Sequence, residues 1–240
     1  MEFDFAIFWQ QVISPAFLAG AGISISLAML SQLGAIILGF FLALGKMSSH
    51  PILSGFSNIY VWFFRAIPTL LVLLMLWNGA PQIFPALREE WYSPFIAALI
   101  GLALAESAFM AEIIRSALQS VDEGQRLAAR ALGMSPVQAM VKVIIPQATR
   151  VAIPPTGNEL IGMVKYTSLA SVISLKELLT TAQVGVASTF RYAEYYAAAT
   201  VYYLAIVSIL MVGQNYLEKK FHWTTKAAVA ARATKEMAPS

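Results

Sequence analysis

Five stretches of the chain stay apolar for roughly the 20 residues that a bilayer-crossing helix needs: residues 17–44, 53–77, 94–114, 153–174 and 195–217. The fourth is the least apolar. Polar positions gather between these runs, and one interval differs from the rest. Residues 122–150, DEGQRLAARALGMSPVQAMVKVIIPQATR, mix charge with strong helix formers and are broken by Gly133, Pro136 and Pro146. Local signals there predict two short helices joined by a tight turn. Asp122 and Glu123 put negative charge at a helix start, where the macrodipole favours it. Gly133 suits the left-handed residue that closes the first helix. Ser135 and Pro136 read as N-cap and N1 of the second. Pro146 is expected to end or kink that second helix near Ile145.

Composition agrees with the runs. Of 240 residues, 58% are hydrophobic and only 12% charged, against about 25% charged in soluble domains. The fold class expected is therefore an all-α membrane protein with five transmembrane helices and a cytoplasmic helix-turn-helix loop. Lys and Arg set the orientation. With the N-terminus outside, eleven fall on the inner side (Lys46, Arg115, Arg126, Arg130, Lys142, Arg150, Lys219, Lys220, Lys226, Arg232 and Lys235) and three on the outer (Arg88, Lys176 and Arg191). The expected arrangement is an extracytoplasmic segment over residues 1–16, a transmembrane domain over 17–220 with its loop at about 121–146, and a cytoplasmic tail over 221–240. That tail has little to pack against and is expected to fray from Thr224 onward. Residues 1–10 hold Glu2 and Asp4 but no Lys or Arg, so no cleaved signal peptide is expected.

A charged side chain at a helix centre costs roughly 2.5–3.5 kcal/mol on insertion scales and so faces protein or water. Arg65, Glu106, Glu112 and Lys165 are such residues. Arg65 precedes Pro68, which is expected to kink the second span. Two readings of Arg65 stand: a fork for a substrate carboxylate, or an assembly ion pair with Glu106. Glu112 and Arg115 share a helical face and are expected to form a structural pair. Lys165, Thr167, Ser168 and Ser171 either hydrogen-bond between helices or line a wet path. Trp62, Trp77, Trp91, Tyr92 and Tyr192 fit packing or interfacial positions. The chain has no cysteine and two histidines, His50 and His222, both isolated, so no thiol chemistry and no metal site are expected. The nearest approach to a phosphate-binding loop, GFFLALGKM from Gly39, has one residue too many between its glycines and Met after its Lys. ATP binding, any cofactor of its own and enzymatic activity are accordingly not expected of this chain.

The loop GQRLAARALGMSPVQAMVKVIIPQATR resembles the coupling loop of ABC importer permeases, with Ala128, Ala129, Gly133, Ile145 and Pro146 matching and Leu127 in place of the usual Glu. ESAFMAEIIRSALQSV (106–121) resembles the third span of the polar amino acid permeases, and NELIGMVKYTSLASVIS (158–174) the fourth. FFRAIPTLL (63–71) resembles their second-span motif, with Ala66 and Ile67 in place of Gly and Thr. The similarity covers about residues 20–217. It implies the type I ABC importer permease fold in the bacterial cytoplasmic membrane, a second permease subunit (the same or homologous), two ATP-binding subunits that carry ATP-Mg, and an extracytoplasmic solute-binding protein. It further implies alternating access for a polar amino acid or an opine-like solute, with no nucleic acid partner. The path residues it implies are Arg65, Pro68, Thr69, Glu106, Ser107, Lys165 and Ser168. Those facing the ATPase would be Leu127, Ala128, Ala129, Gly133, Met134, Ser135, Pro136 and Pro146. Read from residues alone, the loop's apolar knob could equally pack on its own membrane domain. An ion-coupled carrier and a membrane scaffold also remain as rival readings.

Overall fold

The computed structural model describes the backbone of residues 2–236 and the side chains of residues 2–219. The tail expected to fray lies outside the described side chains and, at 237–240, outside the described residues. The described chain is helical from end to end: α1 (Phe5–Val12), α2 (Pro15–Lys46), α3 (Pro51–Ala66), α4 (Thr69–Ile83), α5 (Pro94–Gln119), α6 (Glu123–Ala131), α7 (Pro136–Ile173), α8 (Leu178–Thr189) and α9 (Tyr192–Glu236). Three helices are long and apolar enough to cross a bilayer unaided: α2, α5 and residues Tyr192–Lys219 of α9. The bent pairs α3–α4 and α7–α8 bring the count to five.

Lipid offers no hydrophobic drive for helix association, so close contact of small residues has to supply it. Helices α2 and α5 pack along much of their length. The buried face of α2 carries Ala28, Ser31, Ala35 and Gly39, and that of α5 carries Ala97, Ala98, Gly101, Ala105, Ala108 and Ala111. A Cβ on Gly39 would lie 2.7 Å from that of Met110 and 3.0 Å from the Ser107 carbonyl oxygen. That spacing leaves no room for a side chain.

Proline shapes the remaining spans in more than one way, and Pro154 and Pro155 lie inside a continuous helix. At Pro68 the helix breaks outright. Ile67 is extended, at φ −89° and ψ 137°, as steric clash with the following proline ring dictates, and α4 leaves at 102° to α3. The expected kink is thus a right-angle turn. At Pro81 and Pro146 the helix continues instead, each time through a π turn just before the proline: Met75–Gly79 and Met140–Ile144. In each the closing N–H reaches five residues back, Ala80 to Met75 and Ile145 to Met140. The wider turn moves the proline ring off the preceding carbonyls, the clash that otherwise breaks a helix. This corrects the expectation for Pro146. The second loop helix does not end there but runs on as the fourth span, one element from Pro136 to Ile173.

Two helices are additional to the expected elements. Helix α8 follows a 46° bend and starts at Glu177, whose carboxylate accepts from the Leu179 and Thr180 N–H groups at 2.8 and 2.7 Å. Helix α1, within the expected extracytoplasmic segment 1–16, packs against α9.

Candidate functional site

Glu106 lies on α5 with 4% of its surface exposed. Its Oε1 has no hydrogen-bond partner, and the carboxylate of Glu159 on α7 comes beside it. A buried carboxylate oxygen without a donor is costly, and two carboxylates together repel. Two adjacent carboxyl groups can hold a cationic group or share a proton between them. Glu159 was not singled out in the sequence. Its signal was a carboxylate inside the fourth apolar run, the same signal that marked Glu106.

Arg65 does not pair with Glu106. It ends α3 beside the Pro68 break, exposed on the chain, with its guanidinium 5.6 Å from the ring centroid of Phe109. Pro68 caps α4, and Thr69 begins it, half-buried. Helix α4 packs against the 3-10 turn Thr167–Ile173 that closes α7. Lys165 is exposed just ahead of that turn, and Ser168 Oγ donates to its carbonyl at 2.7 Å. Neither Arg65 nor Lys165 has a carboxylate partner among the described residues. Ser107 is fully buried and held by Tyr60 Oη at 3.0 Å and the Leu104 carbonyl at 2.7 Å; the structure uses it to join α3 to α5.

Below the carboxylates, a cavity of about 770 Å3 opens between α2, α5, α7 and α9. Its walls include Met110, one helical turn from Glu106, and Leu160, next to Glu159, and extend to Leu118 and Ile145. Near that end Glu112 accepts from Arg115 at 2.8 Å and binds Lys46 of α2. The expected Glu112–Arg115 pair is therefore part of a three-residue cluster that ties α2 to α5.

The loop between α5 and α7 folds as a capped helical tip. Asp122 caps α6, accepting from Gly124 N–H at 2.7 Å. Gly133 takes φ +73°, a left-handed conformation that suits glycine. Ser135 and Gln138 then form a reciprocal capping box that starts α7. Ala129, Ala139 and Ile144 are buried. Leu127, Leu132, Val137 and Val141 point outward, 56%, 77%, 71% and 57% exposed. Ala128 and Pro146 are exposed as well, and Met134 is half-buried. Ala129, Ala139 and Ile144 thus face the chain's own helices while Leu127, Leu132, Val137 and Val141 face away, so the knob is only partly consumed by its own membrane domain.

Residues 35–223 match the family described as "Binding-protein-dependent transport system inner membrane component". The arginine transport system permease protein of Corynebacterium glutamicum is 40% identical, over 87% of this chain and 69% of its own. A probable amino-acid permease protein of Bacillus subtilis is 37% identical, over 88% of this chain and 94% of its own. The octopine transport system permease protein of Rhizobium meliloti is 39% identical, over 86% and 85%. Among solved structures, a crystal structure titled as an amino acid ABC transporter with histidines matches with a TM-score of 0.81 at 34% identity, covering 92% of this chain and all of that one.

Proposed function

Because the chain belongs to the binding-protein-dependent transport system inner membrane components, the permease subunits of ABC importers, we propose that it carries a polar amino acid or an opine-like solute inward by alternating access, driven by two separate ATPase subunits. A second permease subunit completes the membrane part, and an extracytoplasmic binding protein delivers the solute. The N-terminus lies outside and the C-terminus inside, as the distribution of Lys and Arg favours.

The observation that carries this reading is the tip, whose large apolar side chains stand exposed on a capped turn of fixed shape. Such a helix fits a groove in a partner. Because α7 is continuous from the tip into the fourth span, a push on the tip reaches Glu159 along one helix. Leu127, where the usual loop has Glu, gives this tip an apolar contact instead of a charged one.

The substrate reading rests on the carboxylates. Glu106 and Glu159 together suit a cationic group, an ammonium or guanidinium. Arg65, exposed beside the Pro68 break, suits a carboxylate arriving from the neighbouring face. Charged residues do not face lipid at low cost. The exposure of Arg65 and Lys165 therefore supports a second permease or a water-filled path over that face. The names of the arginine and octopine relatives are consistent with a basic solute.

The test is purification of the tagged chain from native membranes, followed by reconstitution of what accompanies it. A stoichiometric ATPase and uptake that requires ATP but survives a collapsed proton gradient are the expected results. A chain that purifies alone and loses uptake with the proton gradient points to the ion-coupled carrier instead.

A further inference from the structure

Helix α1 lies outside the stretch matched by the family. Residues Phe5, Trp9 and Ile13 stand four apart and so form one stripe along α1 and its C-cap. They are 69%, 58% and 73% exposed. The neighbouring face is occupied: Phe8 and Val12 pack into the cluster around Phe17, and Tyr202 Oη of α9 donates to the Val12 carbonyl at 2.7 Å. Gln10 is exposed and Gln11 half-buried. The start of α1 is held as well. Asp4 N–H donates to Glu194 at 3.0 Å, and Arg191 spans Glu194 at 3.0 Å and the Glu2 carbonyl at 3.2 Å.

Only Ile13 and Ser14 separate α1 from α2, which crosses the membrane. The covalent connection therefore keeps α1 at the face where α2 enters. A helix there with one protein side and one exposed stripe of Phe, Trp and Ile suits a membrane interface, where aromatic residues gather. We infer that α1 is an interfacial helix, with its Phe5–Trp9–Ile13 stripe sunk into the lipid headgroup boundary on the side where α2 begins. A lipid occupant is favoured over a protein because the stripe is narrow, strongly aromatic and attached directly to a spanning helix. By seating in lipid, α1 holds the outer end of α9 through Glu194 and Arg191. This inference stands apart from the transport reading and would hold for any solute.

The natural absence of cysteine makes the test direct. Single variants Phe5→Cys, Trp9→Cys and Gln10→Cys carry a nitroxide label in the complete complex, with cysteines of accompanying subunits replaced, in phosphatidylethanolamine–phosphatidylglycerol nanodiscs. Relative accessibility to oxygen over a water-soluble nickel chelate is then measured by electron paramagnetic resonance. Positions 5 and 9 are expected to favour oxygen several-fold more than position 10. Equal nickel access at positions 9 and 10 would overturn the inference in favour of a water-exposed helix. Protection of position 9 from both reagents would overturn it in favour of a protein partner. If Trp9→Cys fails to assemble, Ile13→Cys reads the same stripe.

Discussion

Glu106 keeps one carboxylate oxygen without a partner, on a helix whose buried face is otherwise mostly apolar. Glu159 stands beside it, within side-chain hydrogen-bonding reach. If the pair binds a cationic group, Glu106→Gln and Glu159→Gln each remove a charge-assisted contact of about 1.5–3 kcal/mol. Uptake of a labelled basic amino acid into proteoliposomes is then expected to lose about tenfold or more in apparent affinity, since each 1.4 kcal/mol is tenfold. Unchanged affinity in both variants would remove the carboxylates from the path. Gly39 gives a separate, structural test. Its missing Cβ would meet Met110 at 2.7 Å, so Gly39→Leu is expected to destabilise the α2–α5 contact by about 1–3 kcal/mol, read as a lower melting temperature of the detergent-solubilised chain.

The helical tip was legible element by element, because caps and turns are written in neighbouring residues. Asp122, Gly133, Ser135 and Pro136 each take the role that local chemistry assigns them. Proline was legible only as a disturbance. Pro68, Pro81 and Pro146 remove the same N–H, yet the first breaks its helix and the other two are absorbed by π turns. No local signal distinguishes the two outcomes. Two predictions belong to the tip. Leu132→Asp together with Val137→Asp puts charge on its outer face, and the ATPase is expected to be lost on co-purification while membrane insertion stays intact. Gly133→Val forces a β-branched residue to φ +73°, and ATP-dependent uptake is expected to fall with insertion again unchanged. Normal coupling in both variants would return the tip to a structural role.

Considered whole, the chain satisfies some of its polar groups internally and turns others outward. The Lys46–Glu112–Arg115 cluster and the Glu177 cap are satisfied within one chain. Arg65, Lys165 and the apolar tip are left facing outward, where a second permease and an ATPase complete them in the proposed complex. ATP-dependent, protonophore-resistant uptake by the reconstituted assembly is the outcome that this division predicts.

Length, apolarity and charge distribution along the chain are one-dimensional quantities. Bilayer thickness and the cost of burying charge act on them directly, so the long apolar helices and the place of the tip between the third and fourth runs could be read without coordinates. The resemblance to the importer permeases was carried by short motifs in order, again a property of the line. The partner of Glu106 is different. Glu159 is 53 residues away, on a helix that reaches it only because α7 runs unbroken through Pro146. Arg65 was a plausible partner along the sequence, but in the fold its guanidinium stands by the Phe109 ring instead. Helix α1 acquires a side to rest on only once α9 stands beside it. Contacts between distant segments follow from how helices stack, and stacking is decided by the shapes of whole faces rather than by any one residue.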